Sequence, residues 1–174
     1  MIYLNIGSNL ESSYGNRFKN IELAINLMKN ENIFVKKKSS FFETPSYPDF
    51  KKPKFINVCL EVEYENSPLL LLKSTLSIEK KVERIRREKN EPRTCDIDII
   101  DFNNLVLDNK DIILPHPKAH IRNFVLYPLK ELSPKWIHPV FNKNIDFFIK
   151  KLSNKTRNEI TRLNENDILN KWST

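Results

Sequence analysis

The order in which two periodicities follow one another along the chain constrains the fold most. IYLNIG (2–7) alternates with a period of two, and residues 16–30 then place Phe18, Ile21, Ile25 and Met28 at helical spacing, with Leu23 and Leu27 widening the stripe. IFVKKKSSFF (33–42) and FINVCLEVEY (55–64) read as two further strands. Between them ETPSYPDFKKPK (43–54) is proline-rich and long for a simple connection, which makes it a functional candidate. Ser67-Pro68 forms a cap and first-turn pair, after which Leu71, Thr75, Ile78, Val82 and Ile85 share one helical face. A charged loop, REKNEP (87–92), leads into the most strand-like segment, PRTCDIDIIDF (92–102). A hairpin around Asn103-Asn104 and Asp108–Lys110, a loop LPHPKAHIRN and a short helix over 124–132 follow.

Strand–helix–strand–strand–helix–strand is the split βαβ, ferredoxin-like pattern: an α+β fold with an antiparallel sheet and helices on one face, here with an extra C-terminal hairpin and helices. At 174 residues one domain is expected over 1–152, with 153–174 a polar C-terminal appendage of it. Many activities use this scaffold, so function has to be read from side chains.

Composition removes several classes. With only two glycines, Gly7 and Gly15, the chain has no glycine-rich phosphate loop and no dinucleotide fingerprint, so any phosphate must be held by side chains and metal. Cys59 and Cys95 lie in apolar strand-like stretches, where buried free thiols are expected rather than a disulfide or a zinc site. The net charge of +7 is dispersed; it fits a solvated lysine surface, a polyphosphate substrate or nucleic acid. MIYLNIGSNLESS lacks a basic n-region, and no apolar run approaches the ~20 residues of a membrane span, so a cytoplasmic chain without membrane contact is expected.

Asp96 and Asp98 sit two apart on the predicted strand and therefore share a face, while Ile97 and Ile99 point to the other. Asp101 falls on the isoleucine face and is not a third partner. Two carboxylates ~6 Å apart repel by roughly 2–3 kcal/mol at an effective dielectric near 20. Arg93 in an ion pair or a hard divalent cation can answer them. On the preceding helix Glu79, Glu83 and Arg86 share a face, and Arg84, Arg86 and Arg87 gather at its end. Arginines there suit the helix dipole, but four arginines near two acids exceed simple pairing and suit phosphate oxygens. His116 is restrained between two prolines, whereas His120 reads as a surface residue and His138 as packing. Phe55 and Asn57 share a strand face, an aromatic plane beside an amide, which suits a flat polar heterocycle or a plain core edge.

IGSNLESS, SSFFETP, FINVCLEVE, LSIEKKVERIR, PRTCDIDIIDF and LPHPKAHIRNFVLYPLKEL follow in order over about residues 2–150, and together they resemble the 6-hydroxymethyl-7,8-dihydropterin pyrophosphokinases. The resemblance implies transfer of the β,γ-diphosphate of ATP to a reduced pterin alcohol, with release of AMP, in folate biosynthesis. It implies that Asp96 and Asp98 hold two Mg²⁺ ions with ATP, and that Asn57, Phe55, Phe124, Thr44, Pro45 and Tyr47 receive the pterin. Glu79, Arg86, Arg93, Ile99, His116 and Arg122 match ATP contacts, and Arg84 and Arg93 match catalytic arginines of a mobile loop. Phe55 stands where tyrosine is usual, Asn90-Glu91 where Trp-Gly often precedes Pro-Arg, and Leu76 where the family carries glutamine. A monomer is expected, acting on small molecules rather than nucleic acid. Two rival readings stay open: a degenerate homologue that binds without turnover, and, more remotely, a basic RNA-binding module.

Overall fold

The computed structural model describes residues 1–47, 49–85 and 91–172. Strand β1 (Ile2–Ser8) runs antiparallel between β4 (Phe55–Glu63) and β5 (Asp96–Phe102) at the centre of the main sheet. The outer edge of β4 is shared by β2 (Phe34–Lys38) and β3 (Phe42–Thr44), which gives the ferredoxin-like antiparallel order.

Alternation sends the side chains of this sheet to two different tasks. Ile2, Leu4 and Ile6 of β1, Ile56, Val58, Leu60 and Val62 of β4 and Ile97 of β5 form one core with α1 (Arg17–Met28) and α2 (Pro68–Lys81). On the opposite face Tyr3, Cys59 and Ile100 pack against α3 (Asn123–Leu132) and α4 (Ile145–Lys151). That second layer covers only part of the face. The uncovered part carries Asn5, Gly7, Phe55, Asn57, Asp96 and Asp98.

Helix α1 is capped by Asn16, whose side chain accepts the Phe18 and Lys19 N–H groups, and α2 by Ser67 with Pro68 behind it. Helix α2 ends at Lys81, a turn before the apolar spacing predicts: Val82 is buried at the cap, but Ile85 is exposed. Glu83 adopts φ +60° and binds the Ser13 N–H and hydroxyl, turning the chain so that Arg84 points inward. The predicted strand over 33–42 is also divided. Lys38 pairs with Leu60 and Phe42 with Asn57, so four steps on one strand meet three on the other. At the break Ser39 Oγ accepts the Cys59 N–H, a hydroxyl taking a backbone rung.

A short hairpin of β6 (Leu107–Asp108) and β7 (Ile113–Leu114) follows β5. Beyond α4 the chain forms α5 (Asn154–Asn158), β8 (Thr161–Arg162) and α6 (Glu165–Trp172). Strand β8 pairs with β3 at the sheet edge, and Leu163 after it is buried in the first core. Cys59 and Cys95 are buried free thiols. Among the described residues no helix is long and apolar enough to cross a membrane.

Candidate active site

A cavity of about 850 Å³ opens on the uncovered part of the second sheet face. Asp96 and Asp98 enter it from β5, Phe55 and Asn57 from β4, Thr44 from the end of β3, and Pro45 and Tyr47 from the loop beyond. Arg122 and Phe124 come from the start of α3, and Arg84 and Arg93 from the two ends of the segment between α2 and β5.

The acid pair is answered by arginine. Arg84 Nη1 lies 2.5 Å from Asp96 Oδ1, Arg93 Nε lies 3.1 Å from Asp96 Oδ2, and Arg122 Nη1 lies 3.2 Å from Asp98 Oδ2. Two of these arginines also cover aromatic faces: Arg93 stands 5.2 Å from the Phe55 ring and Arg122 5.3 Å from the Phe124 ring. Each ring is thus tied through one cation to one carboxylate. Burial, and then the neighbouring Asp96 charge, push the Asp98 carboxyl above the usual carboxylate range despite Arg122. Two carboxylates side by side on the cavity wall form a donor set that suits a hard divalent cation completed by phosphate oxygens.

His116 stands 3.8 Å from Asp98 Oδ2 through Nε2. Its Nδ1 accepts the Lys118 N–H at 3.0 Å, so the neutral ring carries its proton on Nε2, toward Asp98 and Arg122. Burial, with Arg122 adding to it, lowers the imidazole pKa and favours that neutral form. Glu79 does not line the cavity. It is buried behind Asp96, where one oxygen accepts both Arg84 Nη1 at 2.5 Å and the Ile97 N–H at 2.8 Å. The side chain of Ile99 packs in the helix-side core. Ile99 is buried and does not line the cavity. Arg86 and Asn90 lie outside the described residues.

At the other end of the cavity Asn57 Nδ2 donates to Thr44 Oγ1 at 3.1 Å, leaving the amide oxygen toward Gly7, its register partner on β1. A Cβ on Gly7 would stand 2.9 Å from Asn57 Oδ1 and 3.5 Å from Phe55 Cδ1. Gly7 thus leaves room for the two residues that sequence spacing had paired. Asn9 fastens the surrounding loops: its Nδ2 donates to Ser46 Oγ and the Pro53 carbonyl, and its Oδ1 accepts the Arg93 N–H. Gly7 was legible as one of two glycines, placed at a strand end. Asn9, and the cavity-lining Thr156 and Glu159, carry no local signal.

His120 and His138 lie elsewhere, with His120 partly buried and packed among His138, Phe141 and Phe148. Asp101 is turned from the cavity and accepts Trp136 Nε1 at 2.8 Å.

An antiparallel ferredoxin-like sheet that presents paired carboxylates and arginines beside two aromatic rings defines the class: a site with the side chains to hold cations and anionic oxygens next to a flat ring. Residues 3–134 match the family described as 7,8-dihydro-6-hydroxymethylpterin-pyrophosphokinase (HPPK), and the chain belongs to that family. It is 33% identical over 147 residues to the 2-amino-4-hydroxy-6-hydroxymethyldihydropteridine pyrophosphokinase of Aquifex aeolicus, covering 84% of this chain and 89% of that protein. It is 34% identical over 131 residues to the Bacillus subtilis enzyme of the same name, covering 75% of this chain and 76% of that one. The folic acid synthesis proteins of Dictyostelium discoideum and Pneumocystis carinii are 33% and 35% identical over 82% and 87% of this chain, which spans about a fifth of their length. The Plasmodium falciparum HPPK-DHPS structure solved with pterin and p-hydroxybenzoate superposes with a TM-score of 0.69 over 92% of this chain and 46% of that one. At 16% identity that likeness shows the fold alone.

Proposed function

We propose that this protein moves the β,γ-diphosphate of ATP, as one unit, onto the hydroxymethyl oxygen of 6-hydroxymethyl-7,8-dihydropterin and releases AMP. The observation that carries the reading is the convergence of Asp96, Asp98, Arg84, Arg93 and Arg122 on the cavity that also holds Phe55, Asn57 and Phe124. The names of the relatives from Aquifex aeolicus and Bacillus subtilis support it.

In this reading the pterin ring lies against Phe55 and Phe124, with its polar edge at Asn57, Thr44 and Pro45. The triphosphate extends over Asp96 and Asp98. Two magnesium ions held by Asp96 and Asp98 with the phosphates would supply Lewis-acid polarisation at the β-phosphorus. The pterin oxygen forms its bond to that phosphorus as the bond to the α,β-bridging oxygen breaks, and the hydroxyl proton leaves to solvent. The alcohol is a weak nucleophile, so most of the acceleration comes from alignment and from charge neutralisation. Arg84 and Arg93, paired with Asp96 before ligands arrive, are within reach of the phosphates once a cation takes that carboxylate. Their charge stabilises departing AMP, worth ~10³-fold or more by comparison with arginine fingers. His116, neutral, donates from Nε2 to a phosphate oxygen.

Incubation with ATP, magnesium and the reduced pterin alcohol, followed by nucleotide chromatography, tests the proposal. AMP appearing one for one with consumed ATP supports it; ADP, or no pterin-dependent product, contradicts it.

A further inference from the structure

The segment between α4 and the end of the chain reaches the cavity as well as the sheet edge. Thr156 and Glu159 line the cavity, although both lie beyond residues 3–134. Three contacts fix where they stand. Strand β8 pairs with β3 so that Arg162 faces Phe42 and Thr161 faces Glu43, which brings the chain just before β8 to the β3 edge. Asn123 Nδ2, adjacent in sequence to Phe124, donates to the Thr156 carbonyl at 2.7 Å. Lys155 Nζ lies 4.9 Å from the ring of Phe50, another cavity residue. The strap therefore runs from the β3 edge to the Phe124 side of the cavity, past Phe50.

We propose that Glu159 is a specificity-determining residue at that end, accepting hydrogen bonds from the amino edge of the bound heterocycle. This inference rests on the pterin reading above. Such a ring presents a ring N–H beside an exocyclic amino group, two donors in a row, and a carboxylate offers two acceptors at matching separation. The Glu159 side chain is 28% exposed, and its ion pair with the 72% exposed Lys155, at 3.7 Å, is weak enough to yield to a ligand. Asn57 has only one side-chain oxygen to offer, since its amide nitrogen is engaged by Thr44. Glu159 supplies the acceptors that Asn57 lacks. The ligand class selected is a 2-amino-4-oxo bicycle; a ring carrying a carbonyl in place of the amino group meets acceptor against acceptor and is disfavoured.

The test compares the full chain with its Glu159→Ala and Glu159→Gln variants. Titrations use 6-hydroxymethylpterin and the matching lumazine, whose 2-position is a carbonyl, with magnesium and a non-hydrolysable ATP analogue present. The wild type should prefer the pterin. Glu159→Ala should weaken pterin binding about tenfold or more, the effect of one lost charge-assisted hydrogen bond. Glu159→Gln should lie between, and the preference over lumazine should narrow by the same factors. Affinity for the ATP analogue and the melting temperature should not move. Unchanged pterin affinity in both variants overturns the inference while leaving the proposed function intact, and so does equal weakening of both heterocycles, the mark of a purely steric wall. A wild-type protein that binds neither heterocycle overturns the proposed function and this inference with it.

Discussion

Replacing Gly7 with alanine perturbs the ring end of the site through a single methyl group. Gly7 lies in a regular strand, so the substitution adds no backbone strain there; its effect comes from the Cβ, 2.9 Å from Asn57 Oδ1. An ordinary carbon–oxygen contact needs ~0.3–0.5 Å more. The Asn57 amide cannot retreat freely, because its nitrogen is held by Thr44 at 3.1 Å and its backbone by the central ladder. Either the side chain rotates and loses that bond, at about 1 kcal/mol, or the strands part slightly. The expected stability loss is a fall of ~2–4 °C in melting temperature. The larger effect is on binding: shifting a ring-reading amide by ~0.4 Å should raise KM for the pterin about tenfold, with KM for ATP nearly unchanged. Gly15→Ala is the control. Gly15 has φ +128° and its Cβ would meet only the flexible Lys19 side chain, so that variant should lose about 1 kcal/mol of stability with no change in either KM. Steady-state kinetics with each substrate varied in turn decide the matter. A Gly7→Ala enzyme with wild-type KM for the pterin would refute the claim that this glycine makes room for Asn57.

Asp98→Asn should nearly abolish turnover. It should also raise the melting temperature, because the folded state holds the Asp98 proton more tightly than the unfolded chain and the ionised group therefore opposes folding at pH 7; a lower melting temperature would show that the Arg122 pairing outweighs burial. Arg93→Ala should lower kcat more than it weakens pterin binding, and a pure affinity loss would contradict its role on the departing nucleotide. Burial, with His120 adding to it, holds His138 down at about 4, so the unfolded chain takes up its proton first on acidification. Stability from this residue is complete above its ordinary pKa near 6.5 and drains away as pH falls toward 4, at no more than ~1.4 kcal/mol per pH unit. Denaturant titrations of His138→Phe should show a shallower acid dependence over that window, and an unaltered slope would refute the assignment.

The fold was legible where alternation was strong. The period of two in IYLNIG, FINVCLEVEY and DIDIIDF assigns Ile6, Ile56 and Ile97 to one face and Phe55, Asn57, Asp96 and Asp98 to the other, as observed. Pattern gave way where side chains compete with the backbone. Apolar spacing carried the second helix to Ile85, but Glu83 bonds to Ser13, and Arg84 turns toward Glu79 and Asp96. Ser39 interrupts a strand whose composition is continuous. In the candidate site, spacing alone could pair Asp96 with Asp98 and Phe55 with Asn57. That Arg122 and Arg93 cover the two rings depends on chain crossings no local pattern records, and so does the position of Glu159, set by a two-residue strand in a polar tail. Glu79 and Ile99, which only the resemblance linked to ATP, lie with their side chains outside the cavity, one as an internal strut and one as core.

Manganese titration followed by electron paramagnetic resonance separates a pair of carboxylates on β5 that grips divalent metal only as part of a nucleotide site from one that binds it alone. Manganese should bind weakly to the free protein and strongly once a non-hydrolysable ATP analogue is present, and the strong sites should be lost in Asp96→Asn and Asp98→Asn while both variants stay folded. Equal nucleotide-dependent manganese binding by the wild type and both variants would contradict the metal role of the pair.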